Sequence, residues 1–222
     1  MGGVVNSPGV PQNQNPPTTQ PRRKLKWVVL VIAGILISTW VWLRISYPHG
    51  ISHCCPDVLV ASLGSHATNH GGWFPHGEQS PEASLAIVCR TDTNLLDVVR
   101  GKNIPLKLAQ QVWSSTGALG PETCGWNYVE GLRSDDGKEV AMAWDKVFGL
   151  GHNGQRIRGL AHEVIMADGS LKGVAMKEWP KFAMEQREKL AALIALRGTN
   201  APPIRWSDED SLGTNWFPVP KQ

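Results

Sequence analysis

Apolar and polar positions alternate with three different rhythms along this chain. From Trp27 to Leu43 no charged residue occurs, which is the pattern of a helix that is apolar all round. Seventeen such residues span about 25 Å as a helix, a little short of a hydrocarbon core of about 30 Å. Lys26 and Arg44 can snorkel, and Trp27, Trp40 and Trp42 suit the interfaces, so the segment is expected to cross a membrane. The competing reading is a cleaved signal peptide. The long leader before the apolar run, and the lack of a small-x-small cleavage site after it, favour an uncleaved anchor.

The second rhythm runs from about residue 54 to residue 117. CPDVLVASLGSHATNH reads as a short helix ending at Gly71-Gly72. SPEASLAIVCR has a Ser-Pro start with Glu82 in its first turn, and TNLLDVVRGK and PLKLAQQVWSSTG stop at Gly101 and Gly117.

From Cys124 the period shortens. CGWNYVEGL, EVAMAWD, HEVIMAD and SLKGVAM are short runs rich in β-branched or aromatic residues, which predict strands. The last two are joined by Asp168-Gly169, and this pair predicts a two-residue hairpin turn of type I′. A charged amphipathic helix, KEWPKFAMEQREKLAALIALRG, follows and is expected to stop at Gly198. The layout is α+β: a transmembrane helix, short helices, then an antiparallel meander of three to four strands. The predicted organisation is a disordered cytoplasmic tail over residues 1–21 and a basic flank with membrane helix over 22–46. An exported domain over 47–198 and an extended tail over 199–222 complete it.

Composition refines this outline. Residues 1–21 carry no charge before the arginines and are rich in Pro, Gln, Asn, Thr and Gly, too polar to offset the entropy of ordering. The net charge of +3 comes from Arg22, Arg23, Lys24 and Lys26, because the remainder holds 18 basic residues against 19 acidic. Four basic residues before the apolar run and only Arg44 just after it keep the N-terminus in the cytoplasm and export the chain from about Tyr47. The exported part has no basic excess, so nucleic acid is not an expected partner. Cys54, Cys55, Cys89 and Cys124 all fall on that side, where disulfides persist. The vicinal pair Cys54-Cys55 is awkward to bridge, which favours links to Cys89 and Cys124.

Candidate chemistry is sparse. GLGHNG, Gly149 to Gly154, satisfies G-x-G-x-x-G, but Gly159 and an early strand leave no room for the helix of a dinucleotide site, so no nucleotide is expected. His66 and His70 stand one helical turn apart with His76, His49 and His53 nearby. Asp145, His152, His162 and Asp168 form a second group that could hold a metal if the strands pair as predicted. Surface or loop histidines are the plainer reading of both sets, and no cofactor is expected. G-x-S-x-G is absent, and no catalytic residue is assigned. The aromatic residues Trp73, Phe74, Trp126, Tyr128 and Trp144 follow no single helical period and read as core.

The order WNYVEGL, VAMAWDK, GHNG and HEVIMADGSLKGV resembles the C-terminal region of the prepilin-type, pilin-like exported proteins of planctomycetes and their relatives, and SHATNHGGWFP resembles that family's end-of-helix segment. The resemblance covers roughly residues 54–180. His152 and Asp168 stand farther apart than the corresponding pair in that family, which implies a longer hairpin loop. Lys26-Trp27-Val28 replaces the type IV pilin signature at the membrane helix. The resemblance implies a pilin-like fold outside the cytoplasmic membrane and a structural or interaction role without enzymatic activity. The implied partners are the membrane, further copies of the chain, or components of a secretion or pilus-like apparatus. The alternatives are an exported metal-binding protein and a pseudopilin-like secretion component.

Overall fold

The structure is a computed structural model that describes residues 21–157, 159, 161–197 and 201–207. The tail before residue 21, Gly198 as the stop of the last helix, and the chain after Ser207 lie outside the described residues. The chain divides into two units, residues 1–42 and 43–222, taken separately below.

The first unit contains most of helix α1, Pro21–Ser46. Its apolar window, Leu25–Ser46, is 22 residues long and therefore about 33 Å. The helix thus runs past the charge-free stretch at both ends and reaches the thickness that Trp27 to Leu43 alone falls short of. Trp27, Leu30, Ile35, Leu36 and Trp40 are all more than half exposed, an arrangement costly in water and natural in lipid. By length and composition α1 is able to cross a membrane, as a single anchor or as a signal sequence.

The second unit is α+β. Six short helical pieces come first: α2 (Pro56–Asn69), α3 (Pro81–Leu85), α4 (Val88–Thr91), a 3₁₀ turn (Thr93–Leu95), α5 (Leu96–Val99) and α6 (Leu106–Thr116). Proline at the first turn of α2 and α3, the Ser80 hydroxyl accepting from the Ala83 amide, and left-handed Gly117 after α6 start and stop them as their sequences imply. Strands β1 (Trp126–Glu130), β2 (Ala141–Asp145), β3 (Ala161–Met166) and β4 (Leu171–Ala175) follow, then α7 (Trp179–Leu196) and the two-residue β5 (Arg205–Trp206).

The sheet is antiparallel throughout, in the order β4-β3-β2-β1-β5. The first four strands form the expected meander. The fifth comes from the segment expected to be an extended tail, and it pairs with the free edge of β1, Val129 opposite Trp206 and Glu130 opposite Arg205. Every residue of β1 and β2 is buried, because both faces of the sheet are covered. On one face Trp144 packs against Trp179 of α7. On the other, the Trp126 indole donates to the Val98 carbonyl at 3.0 Å and the Tyr128 hydroxyl to that of Pro75 at 2.8 Å.

Two features of the backbone differ from expectation or add to it. The β3–β4 turn is not type I′: among the described residues only glycines have positive φ, so Asp168 does not take the left-handed conformation that such a turn demands. The Gly169 amide instead bonds the Met166 carbonyl at 2.9 Å, and a three-residue loop, Ala167 to Gly169, closes with glycine alone at φ +82°. The Asp168 carboxylate accepts from the Ser170 hydroxyl at 2.6 Å and the Ser170 amide at 2.9 Å, which together lower its pKa from the ordinary value.

The second feature is a backbone crossing. A Cβ on Gly125 would lie 2.3 Å from the Arg100 carbonyl oxygen and 2.5 Å from the Gly101 Cα, so the loop after α5 runs directly over the entry to β1. The Gly125 amide bonds the Val99 carbonyl across this crossing at 3.0 Å.

Gly169→Val is expected to cost roughly 1–3 kcal/mol, through the φ strain of a β-branched residue and its approach to Val60. His152→Ala, at an exposed side chain, should cost less than about 0.5 kcal/mol. Thermal unfolding of the two variants checks this, and equal melting temperatures would contradict it.

Candidate functional site

Lys102 follows the crossing glycine Gly101 and is buried, with 2% of its surface exposed. Trp126 pairs with Asp145, so the entry to β1 over which that loop crosses lies beside the end of β2. The Lys102 ammonium meets Asp145 Oδ2 at 2.9 Å and Glu163 Oε2, from β3, at 2.5 Å. Asp145 and His162 are as buried as the lysine. The His162 Nδ1 lies 2.9 Å from Asp145 Oδ1 and 3.1 Å from the Asp145 carbonyl; both partners accept, so Nδ1 is the donor. The Glu163 amide gives Asp145 Oδ1 a further bond at 3.2 Å. Trp179 tilts over the imidazole with ring centroids 4.1 Å apart, and Phe148 meets it edge-on at 5.5 Å.

Burial acts to lower the Lys102 pKa, but the charge and hydrogen bond of Asp145, together with Glu163, outweigh it and raise the group above its ordinary value. The lysine is therefore a fixed cation at neutral pH. Cys54 and Ser52 complete the surroundings. The Ser52 hydroxyl donates to the Gly101 carbonyl at 3.1 Å and accepts from the Cys54 amide, while the Cys54 thiol donates to the Val98 carbonyl.

Of the predicted metal candidates, the fold brings Asp145 and His162 together. Asp168 lies beyond the far end of β3, engaged with Ser170, and His152 is the exposed residue of the otherwise largely buried Gly149–Gly154 loop. That loop closes on itself, the Gly154 amide bonding Gly151 and the Gly151 amide bonding Gln155, and it leads through a bridge between Leu150 and Arg156 toward β3 rather than into a helix. Among the described residues no group of three His, Cys, Asp or Glu side chains is arranged around a common point for an ion. At Asp145 the position of a cation is taken by the Lys102 ammonium.

A second buried carboxylate sits at the other end of β1. Glu130 accepts from the Ser84 hydroxyl at 2.6 Å and from the Arg205 guanidinium of β5. A third, Glu82, is bonded at 3.0 Å by Lys146, the residue after β2. Each buried acid is thus neutralised from a different segment of chain, as burial of charge requires. Sequence reasoning assigned no role to Lys102, Glu130 or Arg205.

The cysteines differ from the expected disulfides: all four are free thiols. Cys54, Cys89 and Cys124 are buried, and burial first of all pushes each thiol up to about 12. Exchange proceeds through the thiolate, so packing keeps these three in their unreactive form. Cys55 is half-exposed, 3.8 Å from Asp57.

In comparisons with family models, with curated proteins and with solved structures, nothing matches this chain.

Lys102→Met should destabilise the domain by about 3–5 kcal/mol, because it strands Asp145 as a buried carboxylate without its cation, beside the half-exposed Glu163. Arg133→Gln, which breaks the exposed pair with Asp135, should cost less than about 1 kcal/mol. Urea unfolding of both variants measures the contrast. Iodoacetamide at neutral pH should modify Cys55 within minutes and the other three only after unfolding, counted as added mass on the intact chain.

Proposed function

We propose that this chain is a single-pass, membrane-anchored protein that holds a pilin-like α+β domain outside the cytoplasmic membrane, in a structural or interaction role without enzymatic activity. The observation that carries the reading is α1: a predominantly apolar span of 22 residues, Leu25–Ser46, whose large apolar side chains are exposed, with Arg22, Arg23, Lys24 and Lys26 gathered at its N-terminal side. Charge asymmetry of this kind retains the basic side in the cytoplasm and exports the other.

The described residues of the second unit support a non-catalytic role by their chemistry. The ionisable groups that could do acid–base work, Asp145, Glu130 and Glu82, are each bound to a cation and buried in the sheet's surroundings. A buried carboxylate held by a cation in this way ties segments of the fold together and is not poised for proton transfer. The short-helix-then-meander order, with the sequence elements WNYVEGL, VAMAWDK and HEVIMADG in β1, β2 and β3, supports the pilin-like reading.

Cys55 supplies the test. A membrane-impermeant maleimide added to intact spheroplasts should label Cys55, and the intact mass should retain residues 1–46. Labelling only after permeabilisation, or loss of the leader, overturns the anchored and exported reading. Crosslinking in native membranes tests the role: copies of the chain or membrane partners should be captured, and a chain that stays monomeric and alone contradicts it.

A further inference from the structure

Helix α2 ends in a pair of histidines that neither the fold nor the proposed role uses. His66 and His70 stand one turn apart on the same face, where side chains at i and i+4 meet. Their rings are parallel within 6° and their centroids are 3.8 Å apart. Two imidazoles in this position contribute little as packing, because His70 is exposed and His66 half-exposed.

The tautomer of His70 is set by a hydrogen bond within the helix. His70 Nδ1 lies 2.7 Å from the His66 carbonyl oxygen, and since a carbonyl only accepts, the Nδ1 carries the proton and Nε2 presents its lone pair outward. A backbone carbonyl on the far nitrogen is the support that orients metal-binding imidazoles and raises their basicity. The pair also sits at the C-terminal end of a 14-residue helix, where unpaired carbonyls favour positive charge.

We propose that His66 and His70 form a two-imidazole chelate for a divalent transition ion of the zinc, nickel or copper class, with solvent completing its coordination. Imidazole nitrogen suits these ions, whereas calcium and magnesium take oxygen ligands. Bonds of about 2.0–2.1 Å require the two lone pairs to converge, which a rotation of the half-exposed His66 ring supplies. The site is open to water, because the described residues provide no third side-chain ligand. It is separate from the Asp145–His162 cluster and independent of where the domain resides.

The test is calorimetric titration of the full chain in detergent micelles with Zn²⁺ and, separately, Ni²⁺, with Mg²⁺ as the control. One ion per chain is expected, with no heat from Mg²⁺. His66→Gln and His70→Gln should each weaken binding by about tenfold or more, since loss of a ligand costs at least as much as loss of its supporting partner. His152→Gln should leave it unchanged. Both helix variants are surface changes, and an unaltered circular dichroism spectrum establishes that they fold. Absence of one-to-one binding in the parent chain, or affinity unaffected by either variant, overturns the proposal.

Discussion

The contact on which the domain depends is the ammonium of Lys102 between Asp145 and Glu163. Two carboxylates on adjacent strands, next to a buried imidazole, would repel one another and demand water. A cation delivered by a separate loop removes both problems and ties the helical half of the domain to the sheet. That delivery depends on two glycines: only without side chains at 101 and 125 does the backbone after α5 come close enough to β1 for the lysine to reach β2 and β3. A charge constraint therefore rests on a steric one. Buried ion pairs add little net stability over apolar residues, yet they penalise wrong registers heavily, and here they accompany a sheet whose central strands are buried on both faces.

The same logic recurs along the sheet. Glu130 and Asp145 share a face of the β1–β2 pair but lie at opposite ends of it, and each is held by a cation from outside the ladder. The aromatic residues between them, Trp126 and Tyr128, place polar atoms on backbone carbonyls of the covering segments. Together these contacts specify which loops cover which stretch of β1. Hydrophobic burial alone would not discriminate among the short apolar pieces α3 to α6.

Much of this architecture was legible in local patterns. The strands β1 to β4 follow from short β-branched and aromatic runs, α2, α6 and α7 from apolar periodicity, and α1 from an uncharged run. What could not be read were relations between distant residues. Lys102 meets partners 43 and 61 positions away, and its own neighbourhood only marks the end of a helix. β5 is two residues long and preceded by Pro202 and Pro203, too short for any period to show. The turn at Asp168 differs because a dipeptide names its glycine but not the register of the strands beside it. The cysteines were read from their number and side of the membrane, whereas their reactivity is decided by burial. His66 and His70 were visible as a spacing, but the hydrogen bond that fixes the tautomer appears only once the helix is built.

The pairing of β5 with β1 has a temporal side. A ribosome releases the chain from its N-terminus, so β1 to β4 and α7 exist as polymer before Arg205 and Trp206 emerge. Until they do, one edge of β1 is unpaired and Glu130 lacks its guanidinium. The sheet is thus complete only after β1 to β4 and α7 have all been made. Closure of that edge is therefore the last step of sheet formation during synthesis, after the meander and α7 are already available to fold.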